Sequence, residues 1–125
     1  MTADVVYELM SMLRKPTISG LSILGGDPLC QDVPGLMTLS KICKDVHYIG
    51  KTVWLWTGYK WEDIVNPLSR DTYRINLLSN CDVVVDGQFE QALADRKLVW
   101  RGSANQRVID AQRSFQAGRT ILYKE

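Results

Sequence analysis

Apolar residues at helical spacing open the chain. Val5, Val6, Leu9, Met10 and Leu13 fall on one face, and Pro16 stops the predicted helix. Ile18 to Leu24 is a short apolar run bounded by Gly25-Gly26, the pattern of a buried strand. Asp32 is placed to cap a second helix with Pro34 in its first turn and Leu36, Leu39, Ile42 and Val46 as its inner stripe. KTVWLW (51–56) predicts a second strand ending at TGY, and a short helix around Trp61 to Val65 breaks at Asn66-Pro67. Tyr73 to Leu78 predicts another helix, and CDVVVDG (81–87) a third strand. KLVW (97–100) reads as a fourth strand. Ser103 then caps a helix running to about Gln116, Gly118 ends it, and TILY (120–123) forms a last short strand. Strands alternating with helices over short connections predict a single α/β domain, residues 1–125, built on an open, mainly parallel sheet.

Composition narrows the function classes. Fifteen basic against fourteen acidic residues leave a net charge of +1, without the basic footprint of a nucleic-acid or anionic-membrane binder. No apolar run approaches the roughly 18 residues of a membrane helix, and no secretory signal pattern opens the chain, so a cytoplasmic protein is expected. Cys30, Cys43 and Cys81 are 13 and 38 positions apart, which suits a reducing compartment and matches no zinc or iron–sulfur spacing.

In parallel sheets ligands gather at the carboxyl ends of the strands. Three successive predicted strands end in GGDP, TGY and DG, so these tips should share one rim. Glycine lets backbone approach a ligand closely, while Asp27, Thr57, Tyr59 and Asp86 bring polar groups. The pattern indicates a small-molecule site without naming the ligand.

Four blocks, GLSILGGDPL, VWLWTGY, DVVVDGQF and LVWRGSANQRVID, in this order and spacing, resemble the activating enzymes of anaerobic (class III) ribonucleoside-triphosphate reductases, a family of the radical S-adenosylmethionine superfamily. The similarity runs from about Val5 nearly to the end. It implies a partial (βα) barrel holding a 4Fe-4S cluster with S-adenosylmethionine on one iron. A flavodoxin-type donor would supply the electron that cleaves the sulfonium, and the deoxyadenosyl radical would take a hydrogen atom from a glycine of the reductase. Within that resemblance Gly25, Gly26, Asp27 and Pro28 match the segment that holds the methionine ammonium. Thr57 and Gly58, with neighbouring Tyr59, match a position contacting the methionine carboxylate or ribose, and Asp86 with Gly87 a later cofactor-facing tip. Arg101, Ser103, Asn105 and Gln106 form an RGS-x-NQ block suited either to the cofactor's carboxylate or to docking on the reductase.

The sequence departs from the family at its defining element. A C-x3-C-x2-C loop is absent, and the three cysteines present cannot replace it. The resemblance therefore implies an N-terminally shortened version that lacks the first strand and cluster loop, exposes a hydrophobic sheet edge, and holds no stable cluster alone. Two alternatives stay open: a cluster-less remnant that binds the reductase or S-adenosylmethionine, and a small nucleotide-binding α/β protein, although no phosphate-loop motif is present. Trp54 and Trp56 read as core or helix-packing residues, Glu62-Asp63 as a solvated face, and His47 as a surface or capping residue.

Overall fold

A computed structural model describes residues 3–124. Helix α1 (Ala3–Leu13) leads into strand β1 (Gly20–Ile23), α2 (Val33–Tyr48), β2 (Thr52–Trp56), α3 (Trp61–Ile64), α4 (Thr72–Ser79), β3 (Val83–Asp86), β4 (Arg107–Asp110) and α5 (Ala111–Ala117). Strand order follows chain order, with β1, β2 and β3 parallel and β4 antiparallel to β3. The expected open, mainly parallel sheet is present, and it does not close into a barrel.

Alternation along the strands assigns the two faces. Val53, Leu55, Val84 and Ile109 join one core with Met10, Leu13, Leu36, Ile42, Val46, Trp61, Ile64, Leu77, Leu78 and Ala111, so the helices cover this face. The opposite face carries Trp54 and Trp56, both half-buried, and among the described residues no α-helix. Their partners are Trp100 and Tyr123: Trp54 lies 5.9 Å from Trp56, 5.0 Å from Trp100 and 5.2 Å from Tyr123 between ring centroids. The reading of these tryptophans as helix-packing residues is thereby corrected.

Several elements differ from the sequence expectation near the end of the chain. KLVW forms turns rather than a strand, and Trp100 there has φ +66°. RVID (107–110), expected inside a helix, forms β4. The true helix cap is Asp110, whose carboxylate accepts from the Arg113 amide at 3.1 Å. Two branched residues followed by a capping aspartate explain the switch. TILY contributes a single bridge, Leu122 to Ile109, with the Asp110 and Tyr123 amides donating to Ile121 and Val108 carbonyls. This tail covers the outer edge of β4. β1, expected as a buried strand, is the opposite edge of the sheet and is only partly buried.

An ionic knot joins β3, β4 and α3. Asp86 is 1% exposed. Arg107 Nε donates to its Oδ1 at 3.0 Å, a second guanidinium nitrogen reaches Oδ2, and the Trp61 amide donates to Oδ2 at 2.7 Å. Arg107 also forks onto Glu62 at 2.6 and 3.0 Å, and the Thr120 hydroxyl donates to Glu62. Glu62 and Asp63 are exposed, as expected of a solvated face, and Glu62 is in addition ion-paired to Arg107. Its carboxyl is lowered to about 2, first by the Arg107 hydrogen bond.

Removing one partner of a buried pair strands the other charge. Asp86→Ala should lower unfolding free energy by about 3 kcal/mol or more in urea titrations, whereas Lys41→Ala, which breaks an exposed i,i+4 pair, should change it by less than about 0.5 kcal/mol. Because the folded carboxyl of Glu62 is depressed from 4.5 to about 2, its stabilisation is present above pH 4.5 and fades as pH falls through about 2. Glu62→Gln should flatten the acid limb of a stability–pH curve across that window.

Candidate functional site

The β1 tip turns on Gly25, whose φ of +89° favours glycine, and enters a 3-10 turn at Pro28–Cys30. Asp27 heads that turn and fastens it to the next strand. One oxygen accepts from the Leu29 amide at 3.0 Å and the Thr57 hydroxyl at 2.8 Å; the other accepts from the Gly58 amide at 2.7 Å. Thr57 is buried and its hydroxyl also accepts from the Tyr59 amide at 3.2 Å. The third tip is drawn in by the backbone: the Thr57 amide donates to Val85 at 3.0 Å and the Gly87 amide to Tyr59 at 3.1 Å. Gly87 has φ +96°.

These three tips surround one open cleft of about 210 Å³, lined by Gly25, Asp27, Thr57, Gly58, Gly87 and Gln106, with Trp56 and Phe89 as aromatic walls. Phe89 is exposed and was not singled out from the sequence. Its signals there are its place at the end of the DVVVDGQF block and its position two residues beyond the Asp86-Gly87 tip.

The remaining expected site residues take other positions. Gly26 lines a separate cavity of about 590 Å³ between the glycine turn and the start of α2, with Pro28, Asp32 and Pro34. Asp86 points inward to the ionic knot. The RGS-x-NQ block clamps its own loop. Arg101 donates to the Ala104 and Gln106 carbonyls at 3.1 and 2.6 Å, and the Ser103 hydroxyl accepts from Glu90 at 3.2 Å. Asn105 donates to Gln88 at 2.7 Å, while its buried Oδ1 has no partner. Gln106 accepts from the Gly102 and Ser103 amides and donates to the Gly87 carbonyl at 3.0 Å, so this block supports the third tip.

Tyr59 stands beside the cleft with its hydroxyl 3.8 Å from the Cys30 thiol and the Arg74 guanidinium 5.3 Å above its ring. The hydrogen bond to Cys30 raises the pKa of the Tyr59 phenol above its ordinary value. Cys30 is exposed here, whereas Cys43 and Cys81 are buried. The neighbouring Cys43 and burial push the Cys81 thiol up. Among the described residues no group of three His, Cys, Asp or Glu side chains could hold a metal ion. The thiols therefore do not fit a 4Fe-4S cluster, which needs several converging thiolates. No described helix is long and apolar enough to cross a membrane.

Comparison with known proteins gives a consistent result. The 4Fe-4S single cluster domain family matches residues 1–109. The anaerobic ribonucleoside-triphosphate reductase-activating protein of Enterobacteria phage T4 is 40% identical over 111 residues, covering 86% of this chain and 63% of that protein. Its counterpart in Pasteurella multocida is 41% identical over 111 residues, covering 85% and 63%, and that of Escherichia coli K12 is 39% identical over 88 residues, covering 70% and 53%. The chain thus spans less than two thirds of the length of these relatives. No solved structure matches.

Asp27→Ala would leave two amides and a hydroxyl without their acceptor. Chemical denaturation should show a loss of about 2–3 kcal/mol, with Thr57→Val losing about 1 kcal/mol. Anaerobic reconstitution with iron and sulfide should leave the purified chain without the broad absorption near about 400 nm and without the roughly four irons of a 4Fe-4S cluster.

Proposed function

The chain belongs to the 4Fe-4S single cluster domain family, and from its similarity to the anaerobic ribonucleoside-triphosphate reductase-activating proteins we propose that it serves the activation of such a reductase, with the three-tip cleft taking S-adenosylmethionine. The convergence of Gly25, Asp27, Thr57, Gly58 and Gly87 on one opening carries this reading. A methionine moiety offers an ammonium and a carboxylate. The anionic Asp27, held in place by Thr57 and Gly58, favours the cation beside it, and the glycine backbone allows close approach. Trp56 and Phe89 provide flat apolar walls for the rest of the molecule. Gln106 holds the third tip at its distance through the Gly87 carbonyl.

In the complete activity, S-adenosylmethionine held beside Asp27 would supply the one-electron chemistry directed at a glycine of the reductase, with a flavodoxin-type donor in the cytoplasm as the electron source. The cysteines of this chain do not fit the cluster such chemistry requires, and none of its residues is assigned a redox step. That observation favours a second reading for the chain by itself: a binding component that holds S-adenosylmethionine or the reductase without generating the radical.

A Cβ at Gly26 would meet nothing within 4 Å, and the residue's φ lies outside the left-handed region. Gly26→Ala should therefore leave the thermal midpoint unchanged. Calorimetry should detect S-adenosylmethionine binding and none of ATP under the same conditions, and Phe89→Ala should weaken the former about tenfold, about 1.4 kcal/mol. Absence of heat with S-adenosylmethionine, or equal affinity for ATP, would remove this reading.

A further inference from the structure

Beside the Trp54 cluster, on the face that no described α-helix covers, lies a second groove of about 440 Å³. Its walls are the 97–101 turn and the chain's last described segment, with Lys97, Val99, Trp100, Arg101, Leu122 and Tyr123 as the defining residues. Val99 is 59% exposed, Leu122 53% and Trp100 39%. Large apolar side chains left this open on adjoining segments mark a surface that another molecule covers. Trp100 is held in an unfavourable backbone conformation, φ +66°, by edge contacts to Trp54 and Tyr123 and by the Trp56 indole donating to its carbonyl at 2.8 Å. The fold thus fixes the groove's central ring in advance.

The charge of the groove has one sign. Three cations and no acid line it. Arg107 is neutralised by Glu62 and Asp86. Among the described residues the Arg101 guanidinium bonds only to neutral carbonyls and Lys97 has no ion pair, so neither meets a described counter-charge. We propose that this groove docks an acidic, apolar peptide segment of the reductase: its apolar side chains seat against Val99, Trp100 and Leu122, and its carboxylates meet Lys97 and Arg101. The inference rests on the reductase being the partner. It places contact on the Trp54 face rather than at the S-adenosylmethionine cleft. Two cations without a described counter-charge on an apolar wall favour a peptide over a nucleic-acid backbone, which needs more phosphate contacts.

Binding of the full chain to the purified reductase by biolayer interferometry tests this. Lys97→Glu and Leu122→Asp should each weaken binding at least tenfold, with unchanged thermal midpoints and unchanged S-adenosylmethionine calorimetry, and wild-type binding should weaken as salt rises. A peptide alternating Asp or Glu with Leu or Phe should compete, and its Lys-substituted counterpart should not. Reductase binding that both variants retain would overturn the groove while leaving the functional reading intact. If the chain fails to bind the reductase while still taking S-adenosylmethionine, the partner assignment falls and the docking proposal with it. Self-association, or binding of single-stranded oligonucleotides, that the same substitutions abolish would overturn it too, by showing a different occupant.

Discussion

A carboxylate almost removed from water at the tip of an inner strand requires a counter-charge, and Asp86 obtains it from Arg107. Much of the second half of the fold follows from that requirement. Arg107 opens β4, so the pair sets the antiparallel register against β3, where Asp86 and Arg107 face each other. The other arm of the guanidinium reaches Glu62 and so orients α3, whose first amide completes the coordination of Asp86. The segment between the two strands then has fixed ends, and it folds back on itself through Arg101, Asn105 and Gln106.

On the other side of the sheet the same device is used more gently. Asp27 remains partly exposed and is satisfied by amides and a hydroxyl instead of a cation. Its role in the fold is to fasten the β1 tip to the β2 tip, and its charge stays at the mouth of the cleft. Two aspartates at corresponding strand ends thus have different functions because one has a basic partner and the other has only dipoles.

The parallel half of the molecule was legible in the sequence. Helix stripes (apart from the exposed Val5), the Asp32 cap, the Asn66-Pro67 break and the three glycine-bearing tips all rest on local signals and appear where expected. The antiparallel half was not. Ser103 offered a plausible cap and drew the helix start too early, while Asp110 was the residue that performs it. Asp86 looked like a rim acid because its identity is visible in the sequence and its partner 21 positions away is not. The ion pair of the exposed Glu62 is hidden in the sequence for the same reason. The Trp54–Trp56 pair shows the limit of strand periodicity: alternation puts both on one face but does not say whether a helix or a loop will cover it.

The two margins of the sheet are unlike. Residues 120–124 blunt the β4 side, whereas the β1 side carries no proline, bulge or lysine within Gly20–Ile23 to discourage hydrogen-bonded neighbours. Growth of this sheet is therefore one-directional. Any parallel strand that extends it, from whatever polypeptide, must register beside β1 and will bring its own carboxyl end next to Gly25.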